Sequence, residues 1–175
     1  FQEGPGLLVL QLEIGNENNL VVAALAKKAG WKVVLTPAPS SEFDPKLLEF
    51  VDIITLNETE VTQLAGATDF ESAGAELSKL VGLVFVTRGA QGVSVFDDGQ
   101  LLGNVEAMAV DAIDATGAGD TFCGYAVAGL AQGLTPLDAA ELGTVAAGIS
   151  VQSRGASNSI PLRQEVDSLM LKRRK

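Results

Sequence analysis

The chain is expected to fold as an α/β protein: a doubly wound, mostly parallel sheet with helices on both faces. Three observations predict this. Short continuous apolar runs recur along the chain, stretches with helical periodicity separate them, and a single Asp-Gly turn marks where the alternation stops. A strand buried on both faces needs apolar side chains of both parities, which is why these runs are unbroken rather than alternating with polar residues.

The elements follow in order. Residues 7–12 read as a buried strand and residues 19–29 as a helix stopped by Gly30. Residues 32–36 form a second strand, closed by Pro37 and Pro39, and residues 52–56 a third, followed by a helix opening at Asn57. A helix is predicted over 70–80 and a fourth strand over 83–87. Residues 93–96 and 100–102 flank Asp97-Asp98-Gly99, a hairpin signal, because a two-residue turn needs positive φ that Asp and Gly tolerate. Beyond it the pattern is helical over 118–130, 136–151 and 162–171, with Thr135 as N-cap and Pro136 at the first helical position.

Composition narrows the function classes. With 175 residues, 47% hydrophobic and 19% charged, the chain can bury a core of its own. No apolar run approaches the roughly 20 residues of a membrane helix. Twelve Lys and Arg against 22 Asp and Glu leave a net charge of −10, which argues against a nucleic-acid partner. The basic end, Lys172, Arg173, Arg174 and Lys175, reads as a solvated terminus. One cysteine, Cys123, precludes an intrachain disulfide and suggests a reducing, cytoplasmic setting. Histidine is absent, so Ser-His-Asp and Cys-His triads are excluded, and proton transfer falls to a carboxylate, a lysine or a water.

The stretch Asp114-Ala115-Thr116-Gly117-Ala118-Gly119-Asp120-Thr121-Phe122 carries the most chemistry. It leads from an extended segment into a helix whose first N–H groups have no internal partner, the makings of an anion site. Small residues let a ligand approach the backbone closely. Asp120 is poorly suited to binding phosphate but well placed as a base, deprotonating a hydroxyl while neighbouring N–H groups hold the phosphoryl group it attacks. No Lys-Ser/Thr follows the glycines, so this is not a Walker A loop, and Phe122 stands where a dinucleotide fingerprint needs glycine. A capped helix with a Gly-rich approach is the structural alternative.

That nonapeptide resembles the C-terminal signature of PfkB-type carbohydrate kinases of the ribokinase superfamily. Asn57-Glu58-Thr59-Glu60 resembles their Asn-x-x-Glu motif, and Thr87-Arg88-Gly89-Ala90-Gln91-Gly92 their nucleotide-binding Gly turn. Ser153-Arg154-Gly155-Ala156 through Ser159-Ile160-Pro161 resembles the segment closing their monovalent-cation site, while Gln11-Leu12-Glu13 and Thr36-Pro37-Ala38-Pro39 favour the ribose-specific branch. The motifs keep the family's order over essentially the whole chain.

The resemblance implies ATP-dependent phosphorylation of a sugar primary hydroxyl, D-ribose first, with ATP, Mg²⁺ and K⁺. Asp120 would be the base and a sugar contact; Gly117, Ala118 and Gly119 would form the anion hole. Asn57 and Glu60 would organise Mg²⁺, mostly through water. Thr87, Arg88, Gly89, Ala90, Gln91, Gly92, Gly119 and Asn57 would border the nucleotide, with Thr144 near its base. Asp114, Thr116, Ser150, Ser153, Gly155 and Ser159 would surround K⁺, and Glu13 would bind sugar hydroxyls. Plainer alternatives stay open: Asn57 and Glu60 fit a helix cap, Gly89 and Gly92 ordinary turn glycines, Ser153 and Ser159 common loop serines, and Glu13 an exposed charge. Thr36 and Thr144 depart from the Asn and the His or Asn usual in the family. The family's upstream part, with a small β lid, a Gly-Gly turn and sugar-binding Asp and Asn, has no counterpart before Phe1. Residues 1–175 are therefore expected to be the C-terminal portion of one kinase domain, which in complete form would be a homodimer. A non-catalytic nucleotide-binding or regulatory fragment, or a related fructose or nucleoside kinase, is the alternative.

Overall fold

In the computed structural model, which describes residues 4–38 and 43–173, six strands form one sheet in chain order. They are β1 (Leu7–Gln11), β2 (Lys32–Thr36), β3 (Ile53–Asn57), β4 (Leu83–Thr87), β5 (Val93–Asp97) and β6 (Gln100–Val105). β1 to β4 pair in parallel, with Gln11 opposite Thr36 and Asn57 opposite Thr87. Along β2–β4 both parities are buried, Val33, Val34 and Leu35 beside Ile53, Ile54 and Leu56 and then Val84, Phe85 and Val86. This is what unbroken apolar runs require, and the α/β class stands as read. Pro39, Arg174 and Lys175 lie outside the described residues.

The chain divides into two compact units, Phe1–Thr87 with Ser94–Gly103, and Arg88–Val93 with Asn104–Lys175. In the first unit, α1 (Asn16–Lys28) begins three residues earlier than expected. Asn16 to Asn19 lack apolar spacing, but Asn19 is fully buried and its Nδ2 donates to the Gln11 carbonyl at 2.7 Å, tying the helix to the end of β1. Leu12, expected in the strand, instead begins a 3₁₀ turn, Leu12–Ile14. Lys27 Nζ reaches Asp52 Oδ1 at 2.5 Å, and Asp52 Oδ2 accepts from Val33 N–H at 2.8 Å, so one carboxylate joins the end of α1 to the start of β2. The next helices are α2 (Glu58–Ala65) and α3 (Phe70–Val81). Asp69 caps α3 by accepting from Ser72 N–H at 2.8 Å. The hairpin turn has positive φ at both Asp98 (47°) and Gly99 (83°), as a two-residue turn demands. Gly99 N–H donates to Ser78 Oγ of α3 at 2.9 Å.

The second unit holds α4 (Ala118–Ala131), α5 (Pro136–Ser150) and α6 (Arg163–Arg173). Thr135 caps α5 with Pro136 at its first position, as the sequence predicts. α4 and α5 pack backbone to backbone: a Cβ on Gly143 would lie 2.7 Å from the Phe122 carbonyl oxygen. Leu142, Val145 and Ala146 of α5 close over Val166 of α6, flanked by Tyr125 and Met170. No helix among the described residues is long and apolar enough to cross a membrane.

Gly74 shows how tightly the first unit is packed. It sits mid-helix in α3, where alanine would favour the helix by about 1 kcal/mol, yet a Cβ there would lie 2.5 Å from the Phe96 ring. Overpacking at a buried ring outweighs that propensity. Gly74→Ala should therefore destabilise the protein by about 1–2 kcal/mol, measured as a lower urea midpoint with an unchanged slope. A higher midpoint would show that Phe96 has room to move.

Candidate active site

The first unit places its candidate residues at the carboxyl ends of parallel strands, the edge where ligands gather in open α/β sheets. The hydroxyl of Thr36 donates to the Leu10 carbonyl and that of Thr87 to the Leu56 carbonyl, each at 3.3 Å. Both threonines thus lace a strand end to its neighbour. Glu13 lies in the turn beyond β1, exposed, with its N–H donated to the Gln11 side chain. Asn57 ends β3 and caps α2. Its Oδ1 accepts from Glu60 N–H at 2.9 Å, and Glu60 Oε2 accepts from Asn57 N–H at 2.8 Å, a complete capping box. The helix-cap alternative is therefore realised. Glu60 is half-buried there, with one carboxylate oxygen, Oε2, committed to the cap.

In the second unit, residues 88–92 close a tight turn, with Arg88 N–H on the Gly92 carbonyl at 2.7 Å and Gly92 N–H on the Gly89 carbonyl at 3.1 Å. The Arg88 guanidinium lies against Gln91 Oε1 and its carbonyl, both at 3.4 Å. Gly92 has φ +92°, and a Cβ there would fall on the Val105 carbonyl oxygen, so this position admits only glycine. Gly89, Ala90 and Gln91 form the exposed rim of the turn.

Gly117, at φ +75°, is the N-cap of α4. The Ala118 N–H is taken by the Ala115 carbonyl at 3.1 Å, so it is not one of the open donors. Those of Gly119 and Asp120 have no partner among the described residues, and space above Gly119 is clear. Of Gly117, Ala118 and Gly119, expected to form an anion hole, Ala118 has its N–H engaged, and the N–H groups left open at the start of α4 are those of Gly119 and Asp120. The reason is geometric: a left-handed Gly117 turns the chain back and closes a short turn on Ala115 before the helix starts. Asp120 stands exposed in that first turn.

Asp114 organises the approach. Its Oδ1 accepts from Thr116 N–H at 3.0 Å and Thr116 Oγ1–H at 2.6 Å, and its Oδ2 accepts from Gly155 N–H at 2.9 Å. The Gly155 N–H, followed by the two Thr116 donors, holds its pKa down to about 2. Ile113 and Asp114 N–H both donate to the Val151 carbonyl, at 2.7 and 3.1 Å. Ala156 packs over Gly117, where a Cβ would lie 3.2 Å from its Cα. The serine hydroxyls turn elsewhere: Ser150 Oγ donates to the Ala147 carbonyl and Ser159 Oγ to the Ala156 carbonyl, each at 2.8 Å, while Ser153 N–H donates to the Ser150 carbonyl. Both oxygens of the ionised Asp114 carboxylate are thus engaged by donors of the 116 and 155 turns. Thr144 is 5% exposed within α5, and its hydroxyl has no hydrogen-bond partner among the described residues. An open groove of about 560 Å³, lined by Glu106, Asp138, Glu141 and Arg173 among others, contains none of the expected residues.

The second unit thus carries an acid in the first turn of a helix whose leading N–H groups are open, and the first unit a capping-box acid at a parallel-strand end. The family pattern described as pfkB family carbohydrate kinase matches residues 3–163, and the chain belongs to that family. It is 42% identical over 164 residues to a ribokinase of Haemophilus influenzae, covering 90% of this chain and 53% of the relative. It is 38% identical over 160 residues to one of Lactococcus lactis, covering 91% and 52%. Among solved structures, a Thermotoga maritima ribokinase superposes with TM-score 0.87 at 33% identity, over 94% of this chain and 56% of that one. An Arabidopsis thaliana ribokinase complexed with ribose and ATP gives 0.85 at 32%, over 94% and 55%. The chain spans about half the length of the curated relatives it matches.

The Asp114 clamp has a pH signature. Its depressed pKa means that the stability it contributes is complete above about pH 4, where a free carboxylate titrates, and is lost as pH falls toward about 2. Asp114→Asn should lower Tm at neutral pH, and the gap to wild type should narrow across that acid window. A gap that stays constant through it would remove Asp114 as the clamp.

Proposed function

We propose that the chain carries the phosphoryl-transfer apparatus of a kinase that moves the γ-phosphoryl group of ATP to the primary hydroxyl of D-ribose, yielding ribose 5-phosphate and ADP. The observation that carries this reading is Asp120 in the first turn of α4 beside the open N–H groups of Gly119 and Asp120. The likeness to ribokinases, one of them bound to ribose and ATP, supports the substrate pair.

In this reading Asp120 accepts the sugar hydroxyl proton as its oxygen attacks the γ-phosphorus, and the bond to the bridging oxygen of ADP breaks. The donors at the start of α4 hold the phosphoryl oxygens where negative charge builds. The 88–92 turn with Thr87 borders the nucleotide, Thr144 lies toward its base, and Glu13 takes sugar hydroxyls. Glu60 and Asn57 would hold Mg²⁺ through water, which neutralises phosphate charge when bound. Asp114, with main-chain carbonyls of Thr116, Ser150, Ser153, Gly155 and Ser159, would hold K⁺, which stiffens the approach to α4. A cytoplasmic setting and a homodimeric whole enzyme belong to the same proposal.

Two substitutions test it. In the complete enzyme, Asp120→Asn should lower ribose-dependent turnover by at least ~10²-fold while changing ATP affinity much less; wild-type turnover would refute the base. Glu60→Gln separates the two roles of that side chain, because glutamine also completes a capping box. Tm should stay within about a degree of wild type, since surface changes that keep their bonds cost little, while the Mg²⁺ concentration for half-maximal rate rises. If both are unchanged, Glu60 is a cap and nothing more.

A further inference from the structure

Tyr125, the chain's single tyrosine, was not among the residues the motifs single out. It lies in α4, two turns beyond Ala118, and its ring packs in the cluster of Leu142, Val145, Ala146 and Val166. Its hydroxyl donates to the Pro161 carbonyl at 2.7 Å. Pro161 is buried and ends the segment that leaves α5 at Val151, passes through Gly155 and Ala156, and enters α6 at Arg163. At its near end that segment is held by the Val151 carbonyl, which accepts from Ile113 and Asp114 N–H, and then by Gly155 N–H on Asp114. Ala156 rests on Gly117. Tyr125 supplies the far anchor, and it does so from the same helix whose first turn carries Asp120.

We propose that Tyr125 is a positioning residue: its hydroxyl fixes the 151–162 segment against α4 and so sets the geometry of the cation loop and the affinity for potassium. This rests on the potassium assignment above. The hydrogen bonds at Val151 and Gly155 hold only the near end of this twelve-residue segment, and the one at Pro161 holds its far end. Burial first, and then Asp167 and Glu165, raise the phenol's pKa against the opposing effect of Arg163, so the group stays a proton donor through the neutral range. A neutral hydrogen bond of this kind shifts a local equilibrium by roughly three- to tenfold.

The test uses Tyr125→Phe, which keeps the ring and its packing. Arg154 is exposed within the segment, so trypsin cleavage after it, followed by mass spectrometry, reports on lifting without reference to activity. Cleavage should be roughly three- to tenfold faster in the variant. In the complete enzyme, the KCl concentration for half-maximal turnover should rise by a similar factor, with KM for ATP within about twofold. Equal cleavage rates overturn the proposal. Faster cleavage with an unchanged potassium requirement, or with ATP and potassium constants rising together, reduces Tyr125 to a structural contact and overturns the positioning role. If wild-type turnover is indifferent to potassium, the potassium assignment itself falls, while the cleavage comparison still decides whether Tyr125 is an anchor.

Discussion

Parallel pairing of β1 to β4 is the constraint on which the first unit depends. Parallel neighbours must all run the same way, so every carboxyl end reaches one edge, and the register puts Gln11 beside Thr36 and Asn57 beside Thr87. Each crossover then has to begin from that edge, which is where Glu13, Asn57 and Glu60 stand at turns and helix starts. Chemistry collects there because strand ends offer exposed backbone on a rigid support. The hydroxyls of Thr36 and Thr87 reinforce the arrangement by bonding across strand ends.

Much of the fold was legible because burial on both faces writes itself as unbroken apolar runs; β2, β3 and β4 lie within a residue of where the sequence places them. The hairpin was equally plain, since Asp98 and Gly99 are the residue types that accept positive φ. What the sequence reading misplaced has a common cause. Leu12 looks like the next strand residue and Asn16 to Asn19 look like a loop. The buried Asn19 amide, bonded to Gln11, turns the first into a 3₁₀ turn and the second into helix. A tertiary hydrogen bond of this kind leaves no periodic trace.

The motifs name the candidate residues but not the contacts those residues make. Asn57 and Glu60 satisfy a capping box whether or not a cation is near, so the motif has a folding role of its own. The hydroxyls of Ser150 and Ser159 engage local carbonyls, while the Asp114 carboxylate ties the 116 and 155 turns to each other. Ala118 closes a turn on Ala115, which no composition rule anticipates, because it follows from the left-handed Gly117. Tyr125 was invisible for a different reason: its partner is a backbone carbonyl 36 residues away, and carbonyls have no sequence signature.

The close approach of α4 and α5 through Gly143 has a bearing on the order of assembly. The two helices are joined by four residues, 132–135, and their contacts are local along the chain. Closing so short a connection costs little entropy, whereas each parallel strand pair must first span a crossover of many residues. The helical hairpin that presents Asp120 is therefore the part of the molecule able to form early. The strand ends that hold Asn57 and Thr87 wait on the slower closure of the sheet.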